Sequence, residues 1–408
     1  MALKQQRIIA SLDIGSNKIV CLVGYINTMG KVCVRGIGHQ QARGIQCGKI
    51  INKKEAEKNI LSTISIAEKI AGYNIQDIAI SISSSEITSS TINTDIKLNG
   101  KEVKDKDINN LLKDIKNILK KEGKEVVHLM PLQYCLDDTV VESPYSMQAE
   151  NLKITFHLLT SQKSTLNKIK DCIKSMMLDI SNYVSTVYAS SLSVLSETEK
   201  ELGALVLDIG SNGTNIGLVY DNKYVFEGNI CIAGDTITKD ISNILKITQG
   251  TAEKIKVINT NFSLSENEEN ELIKIKIDTD EDFEASKNKV SLINDIAKAR
   301  IEEIVQIAMQ KLKDCDLQNV PQYIVLTGGT ALIPNIDNFV SNITDLETRI
   351  GYNDNNFTIQ DRNLAVELRN PIYSVAMGTL KFIQNKYNSI NQVENESTFF
   401  NILKKLFS

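Results

Sequence analysis

Residues 205–220 carry side chains that could bind a phosphate group and a metal ion. They read LVLDIGSNGTNIGLVY: an apolar run ends at Asp208, small polar residues follow, and a second apolar run begins. Apolar runs joined by glycine, serine and asparagine are typical of a β-hairpin. A carboxylate at a strand end can hold a metal-bound water, and small turn residues offer N–H groups and hydroxyls to phosphate.

The same turn occurs near the start of the chain. Residues 8–25 read IIASLDIGSNKIVCLVGY, so DIGSN again stands between two apolar runs. One such turn is weak evidence because many hairpins contain it, but two copies predict two similar halves that face one ligand. A third glycine turn, at residues 328–330, directly follows the apolar residues 323–326.

Three such turns at strand ends suit a nucleotide, since α/β folds bind ligands at the ends of their strands. We expect the hairpins to hold phosphates, with Lys18 supplying a positive charge. Asp13 and Asp208 would hold Mg²⁺ through water, because this ion dehydrates reluctantly. The alternative, three ordinary turns, has little weight because all three follow an apolar strand. The residues assigned to the nucleotide are Asp13, Gly15, Ser16, Asn17, Lys18, Asp208, Gly210, Ser211, Asn212, Gly213, Thr214, Gly328, Gly329 and Thr330.

Length and composition exclude several classes of protein. With 408 residues, 42% of them hydrophobic, the chain can form two domains or one duplicated fold. Its net charge of -4 argues against nucleic-acid binding, which usually requires a basic face. Its seven cysteines form no C-x-x-C pair, which favours buried thiols in a reducing cytosol. No segment resembles a signal peptide or a membrane span, so we expect any membrane contact to be peripheral.

The elements around the turns follow from the spacing of apolar residues. Asn52 is predicted to cap a helix that ends near Gly72, and residues 78–82 are predicted to form a buried strand. Residues 84–162 then contain a charged helix and strand patterns of period two. This composition predicts an α/β subdomain inserted after the strand.

The end of the chain is amphipathic. Residues 384–397 are polar and predicted to be a flexible linker. In residues 398–408, TFFNILKKLFS, apolar side chains recur at spacings of three and four beside lysines, which is typical of a helix in a membrane interface. The alternative, a helix docked on the protein's own core, fits the polar linker less well. The residues expected to contact lipid are Phe399, Phe400, Ile402, Leu403, Lys404, Lys405, Leu406 and Phe407.

The order of these motifs resembles the actin, Hsp70 and sugar-kinase superfamily, and within it the chain is similar to the FtsA family of bacterial cell-division proteins. The similar segments include SLDIGSNKIVCLVG, ARGIQCGKI, IAGDTITKDI, TAEKIK and IVLTGGTALIPNI, which together span nearly the whole chain. The resemblance implies an α/β, actin-like (ribonuclease H-like) duplicated fold with two lobes around a nucleotide cleft and an FtsA-type inserted subdomain. It also implies that Gly234 and Asp235 open a helix at the cleft, and that Glu253 and Lys256 flank the adenosine.

The same resemblance divides the chain into segments. These are the first-lobe core at 1–83, completed by about 163–200 and 365–383; the inserted subdomain at 84–162; the second-lobe core at 201–236 and 312–364; its small subdomain at 237–311; the linker at 384–397; and the membrane-targeting helix at 398–408.

The function implied by the resemblance is structural. The protein would bind ATP and Mg²⁺, polymerise head to tail, and tether the FtsZ ring to the cytoplasmic face of the inner membrane at the division site. Its partners would be the C-terminal peptide of FtsZ, docked on 237–311, further copies of itself, anionic lipid and other division proteins, but no nucleic acid.

Departures from the superfamily pattern weaken the case for rapid hydrolysis. Where many relatives read Asp-x-Gly-Gly-Gly-Thr-Thr-Asp, this chain has Asn212, Gly213 and Asn215. A Glu-Pro pair of many relatives is replaced by Thr186 and Val187, and threonine cannot act as a carboxylate base. ATP binding is therefore better supported than hydrolysis, with at most a weak ATPase and no catalytic residue assigned. Two alternatives remain: a small-molecule kinase of the same superfamily and a pilus-assembly relative.

Overall fold

The structure is a computed structural model that describes residues 7–46, 48–273, 289–353 and 357–393. The predicted membrane-targeting helix at 398–408, with all eight residues expected to contact lipid, lies outside this range. The strands are β1 (Arg7–Ile14), β2 (Lys18–Ile26), β3 (Val32–Gln41), β4 (Ile45–Gln46), β5 (Lys49–Ile50), β6 (Asp77–Ile82), β7 (Ile87–Glu102), β8 (Lys124–Leu136), β9 (Thr139–Val141), β10 (Gln148–Gln162), β11 (Asp179–Ser185), β12 (Ala204–Ile209), β13 (Thr214–Tyr220), β14 (Lys223–Ile230), β15 (Tyr323–Thr327), β16 (Glu347–Ile350) and β17 (Thr358–Ile359). The helices are α1 (Lys53–Ala71), α2 (Asp105–Lys121), α3 (Lys163–Lys174), α4 (Thr186–Val194), α5 (Glu197–Leu202), α6 (Gly234–Leu245), α7 (Gln249–Asn259), α8 (Glu266–Glu269), α9 (Val290–Lys313), α10 (Ile336–Thr344), α11 (Arg362–Leu368) and α12 (Ser374–Val393).

The first lobe is built on a six-stranded sheet in the order β11-β6-β1-β2-β3-β17. Its first hairpin, β1 with β2, is antiparallel, and β6 runs parallel to β1. Helix α1 packs on this sheet. The side chain of Asn52 accepts a hydrogen bond from the Glu55 N–H at 3.3 Å, and Gly72 ends the helix with φ 72°, so the predicted cap and stop are both confirmed.

The second lobe repeats this arrangement in a five-stranded sheet, β14-β13-β12-β15-β16. Its hairpin is β12 with β13, and β15 runs parallel to β12. Helix α7 and most of α6 and α9 lie within the segment predicted as a small subdomain, and their buried faces share one hydrophobic core with this sheet. The two lobes therefore present equivalent hairpins, as the repeated turn predicts.

The inserted subdomain begins at β7, shortly after β6. Its sheet has the order β7-β10-β8-β9. The buried face of α2 supplies Leu112 to a core that also contains Leu152 and Phe156 of β10. Because this core is separate from those of the lobes, the segment folds as the additional α/β unit that its composition predicts.

Two predicted boundaries differ in the structure. Strand β17 pairs with β3 of the first lobe, and α11 places Leu364 in the first-lobe core, so the chain returns to that lobe before residue 364. Helix α12 continues to Val393 and includes most of the predicted linker. Side-chain hydrogen bonds hold this part of the helix: Lys386 donates to Asn182 at 2.9 Å, and Asn388 donates to the Gly30 carbonyl at 3.1 Å.

Among the described residues, none of the helices has the length and apolar content needed to cross a bilayer.

Helix α4 contacts strands of both sheets, and α12 crosses it at Gly378. A Cβ atom at Gly378 would overlap the carbonyl group of Ala189 and lie 3.0 Å from its Cα. Glycine is therefore required at this crossing because the two helix backbones touch.

Gly378→Ala is expected to lower the free energy of unfolding by about 3 kcal/mol or more, the upper end for overpacking, since the backbone of α4 cannot yield as a side chain would. Gly250→Ala is the matched control, because this glycine of α7 has nothing within 4 Å of the added Cβ. That variant should be neutral or more stable by about 1 kcal/mol. Chemical unfolding of both variants measures the difference, and equal stabilities would contradict the crossing.

Buried histidines join the inserted subdomain to the lobes. The Nδ1–H of His157 donates to the Tyr224 carbonyl of β14 at 2.7 Å, and its Nε2 accepts from the Ser89 hydroxyl at 2.9 Å. Nε2 of His128 accepts from the Ser185 N–H at 3.1 Å. Burial lowers the pKa of His157 to about 4 and that of His128 to about 3. Both rings therefore remain neutral in the folded protein.

His157→Gln is expected to flatten the pH dependence of stability. An unfolded histidine has a pKa of about 6.5, whereas burial lowers the pKa of His157 to about 4. The stability contributed by the neutral ring is thus complete above the unfolded pKa. As the pH decreases from the unfolded pKa to the folded pKa, this contribution decreases by about 1.4 kcal/mol per pH unit. The free energy of unfolding in urea is measured for parent and variant as a function of pH. The difference between the two curves reports the protonation of His157 alone, because the carboxylates with shifted pKa values contribute equally to both proteins. Parallel curves would contradict the account.

Candidate nucleotide site

The first predicted metal ligand lies at the end of β1. Asp13 is only 6% exposed, and its Oδ1 accepts a hydrogen bond from the Ser81 hydroxyl of β6 at 2.8 Å. Ser81 is not among the residues predicted for the site. Its signal was nevertheless present, because Ser81 is the one hydroxyl residue in the apolar run IAISI. The parallel pairing of β6 with β1 makes it the group that orients this carboxylate.

The first turn is fixed by backbone hydrogen bonds. The Gly15 N–H donates to the Lys18 carbonyl at 2.9 Å, and the Asn17 carbonyl accepts from the Ala42 N–H at 2.9 Å. The Ser16 hydroxyl accepts from the Gly48 N–H at 3.2 Å. The loop after β3 therefore folds against the turn and holds its small residues in place.

One backbone carbonyl joins the second turn to two other predicted segments. The Gly210 N–H donates to Gly213 at 3.1 Å, which closes the turn. The Gly210 carbonyl then accepts from the Gly234 N–H at 3.1 Å and from the Thr330 hydroxyl at 2.9 Å. The second hairpin, the start of α6 and the third glycine turn therefore meet at one point.

The side chain of Asn212 also contacts α6. Its amide donates to the Asp235 carboxylate at 2.8 Å, while the Asp235 N–H donates to the Ser211 carbonyl at 2.7 Å. The Thr214 hydroxyl donates to the Ile232 carbonyl at 2.8 Å. Asn212 and Thr214 thus fix the shape of the turn.

Glu253 and Lys256 lie on α7 beside the same helix start. They form an ion pair at 2.6 Å. Nζ of Lys256 also donates to the Gly234 carbonyl at 3.1 Å and to the Thr238 hydroxyl at 2.9 Å. The predicted adenosine-flanking pair is therefore joined to the segment that carries Gly234 and Asp235.

The third glycine turn approaches the second predicted metal ligand directly. Gly328 has φ +85°, and a Cβ there would lie 2.6 Å from Oδ1 of Asp208 and 2.6 Å from the Ile209 carbonyl oxygen. The cause is the parallel pairing of β12 with β15, which aligns Asp208 with Thr327. A side chain at Gly328 would displace the carboxylate, whereas Gly329 has open space around it.

The charged residues of the two lobes act on one another across the cleft. Burial and the charge of Asp13 raise the pKa of Asp208 to about 6, while Lys18 opposes the shift. Burial lowers the pKa of Lys18, and both carboxylates oppose that change. Asn215 donates to Asp208 at a long 3.5 Å. Two buried carboxylates near one lysine fit a bound Mg²⁺, whose charge would relieve their repulsion.

Thr186, which is expected to stand in place of the acid of many relatives, begins α4 and is buried. Its hydroxyl lies 3.4 Å from that of Ser84. A nearby carboxylate that is not among the predicted site residues is Glu227 of β14. It accepts hydrogen bonds from the Ser185 hydroxyl at 2.7 Å and from the Tyr224 hydroxyl at 2.9 Å. Burial raises the pKa of Glu227. Through its hydrogen bond with Ser185, Glu227 joins β14 of the second lobe to the start of α4.

The arrangement offers backbone amides, hydroxyls, one lysine and two carboxylates at the facing ends of two hairpins. It brings the three glycine turns, α6 and the Glu253–Lys256 pair to one cleft. Chemically, such a set can bind a phosphate chain and a divalent cation together.

The chain is similar to known proteins both in its sequence and in its structure. A sequence model described as "Cell division protein FtsA" matches residues 205–378, and one described as "SHS2 domain inserted in FTSA" matches residues 84–160. Cell division protein FtsA of Agrobacterium fabrum is 27% identical over 93% of this chain and 88% of its own. That of Borreliella burgdorferi is 27% identical over 96% of this chain and 95% of its own.

Solved structures with low sequence identity share the fold. A PilM–PilN type IV pilus biogenesis complex aligns with TM-score 0.66 and 13% identity over 92% of this chain and 98% of that one. MreB 5 of Spiroplasma citri bound to AMPPNP aligns with TM-score 0.57 and 16% identity over 95% of this chain and 98% of that one. The actin-like fold implied by the family resemblance is therefore confirmed. Because the two sequence models together cover more than half of the chain and full-length relatives align along nearly all of it, the chain belongs to the FtsA family of cell-division proteins.

Proposed function

We propose that this chain binds Mg²⁺ and ATP between its lobes, polymerises head to tail on the inner membrane, and tethers the FtsZ ring there through its C-terminal amphipathic segment. The observation that carries the proposal is the meeting of Asp13, Lys18 and Asp208 in one buried polar centre. Two buried carboxylates with one lysine leave an excess negative charge, which is costly in a protein interior unless a ligand offsets it.

Each part of the nucleotide has candidate partners. The turns at 15–17 and 210–213 would bind the phosphates, with Lys18 as a positive charge. The turn at 328–330 and the Glu253–Lys256 pair would border the adenosine. Mg²⁺ would be held through water by Asp13 and Asp208, one from each lobe, and would supply positive charge for the phosphate oxygens. The fold relative MreB 5 was solved with AMPPNP, which supports this use of the cleft.

In this proposal the bound nucleotide stabilises the arrangement of the two lobes, rather than supplying energy through rapid hydrolysis. Thr186 stands where many relatives have a carboxylate, and Glu227 already accepts two hydrogen bonds from protein hydroxyls. Family membership favours this structural role over a small-molecule kinase. The pilus complex shares only the fold at 13% identity, so it does not favour the pilus alternative.

Electron microscopy on anionic lipid monolayers tests the proposal. The full chain with ATP and Mg²⁺ should form filaments on the lipid, whereas a chain without residues 397–408 should leave the lipid bare. Filaments of the truncated chain on lipid would contradict tethering by the tail. An absence of filaments for the full chain, with or without ATP, would contradict polymerisation.

A further inference from the structure

A group of basic side chains lies on α12 and on elements near it. Its members lie on β1, on the turn between β2 and β3, on α2 and on α12 itself. We call this group the basic pole, and it consists of Arg7, Lys31, Lys116, Lys381 and Lys386.

Contacts within the fold bring these elements together. The Arg7 guanidinium lies 5.8 Å from the centre of the Tyr387 ring. Asn388 donates to the Gly30 carbonyl at 3.1 Å, which places the turn containing Lys31 against α12. The same turn presents Met29, an apolar side chain that is 75% exposed.

Within the described residues, four of the five members of the basic pole form no ion pair, although the nearby Glu197 carboxylate acts on Lys381. In the part of the chain that the structure describes, no ion pair joins Arg7, Lys31, Lys381 or Lys386 to a carboxylate. Burial, together with Arg7 and Lys116, lowers the pKa of Lys386 to about 8. The chain as a whole has a net charge of -4, so this local excess runs against its overall composition.

The basic pole lies only a short length of chain away from the predicted membrane-binding segment. Helix α12 ends at Val393, and only residues 394–397 separate it from the amphipathic segment at 398–408. Four residues reach at most about 14 Å. If the tail lies in a membrane interface, the pole is therefore held close to the surface of the same membrane. Surface charges of a bilayer act over about 8 Å at physiological salt.

We propose that the basic pole binds the headgroup phosphates of an anionic bilayer, as a second membrane contact made by the folded body beside the tail. This inference rests on the proposed tethering. Arg7, Lys31 and Lys386 provide the charge, and Met29 provides an apolar side chain at the same surface. The competing occupant is the linker itself, whose Glu394 and Glu396 could pair with the same cations.

The test is co-sedimentation of the full chain with vesicles of phosphatidylcholine alone or mixed equally with phosphatidylglycerol. The variant Arg7→Gln/Lys31→Gln/Lys386→Gln should bind the mixed vesicles at least about 10-fold more weakly, because each charge near an anionic surface contributes roughly a 5-fold factor. Its binding should also depend less on salt. The matched control, Lys239→Gln/Lys254→Gln/Lys313→Gln, makes the same charge change at exposed positions of the second lobe and should bind as the parent does.

The outcomes separate the two proposals. If the pole variant and the parent bind mixed vesicles equally, the pole does not contact lipid and pairing with the linker acids is favoured. If both triple variants weaken binding equally, the effect is one of net charge and the inference is overturned. If a chain lacking residues 397–408 binds as the parent does, tethering by the tail fails. In that case the pole inference stands only if the pole variant still loses binding.

Discussion

Gly328→Ala should weaken ATP binding by at least about 100-fold, equivalent to about 3 kcal/mol. The added Cβ would lie 2.6 Å from Oδ1 of Asp208, so the carboxylate proposed to hold Mg²⁺ must move. The backbone also has φ +85°, a conformation that costs a residue with a side chain about 1–3 kcal/mol. Both effects act at the point where the third turn meets the second hairpin. Isothermal titration with Mg²⁺ and ATP measures the loss.

The control for Gly328→Ala is Gly123→Ala. Gly123 has a similar φ of +74°, and nothing lies within 4 Å of an added Cβ. This variant carries the same backbone strain without the collision, so it should lose some stability and bind ATP as the parent does. If Gly328→Ala remained folded and bound ATP with unchanged affinity, Asp208 would not be part of the nucleotide site.

Phe400→Glu should abolish binding of the chain to anionic vesicles. The six large apolar side chains of the tail could contribute about 9–18 kcal/mol if fully buried, and its two lysines about 1 kcal/mol each near anionic lipid. Ordering roughly ten residues costs about 1–2 kcal/mol each. The balance is therefore close to zero, and a charge in place of one phenylalanine removes what remains. Vesicle co-sedimentation measures the effect.

Asn401→Glu is the matched control for Phe400→Glu, because it adds the same charge on the polar side of the predicted helix. Its binding should fall only slightly, through repulsion by anionic lipid. Equal losses in the two variants would mean that charge, rather than the apolar face, governs attachment. Removal of residues 397–408 should have the same effect as Phe400→Glu.

A weak anchor also explains why polymerisation would matter. One tail near the balance point attaches only transiently, but linked tails in a filament bind as a set, because attachment of one raises the effective concentration of the next. Membrane attachment and filament formation would then support each other. In this proposal, the nucleotide would set the two lobes for contact with the next subunit.

Much of the site could be predicted because it lies in local patterns. The two DIGSN turns identified both hairpins, and the apolar run before Gly328 identified the third turn, since a glycine turn and its flanking strands are adjacent in sequence. The convergence of Gly210, Gly234 and Thr330 is a long-range property. It was implied by family resemblance rather than by the residues themselves.

The features that were not predicted depend on contacts between elements that are distant in the sequence. Ser81 orients Asp13 only because β6 lies beside β1, and Glu227 reaches Ser185 only because β14 lies beside the start of α4. The boundary after β16 was displaced for the same reason: two residues of β17 pair with β3. The polar composition of residues 384–393 indicated a linker, but contacts with Asn182 and Gly30 hold them as helix.

Recruitment of FtsZ to vesicles tests the central claim most directly. Purified FtsZ would be sedimented with anionic vesicles in the presence of the full chain and either ATP or AMPPNP. The account predicts that FtsZ pellets with either nucleotide, and that it remains in solution when the chain lacks residues 397–408 or carries Gly328→Ala. If the chain binds the vesicles with ATP while FtsZ stays in the supernatant, this protein is not the tether.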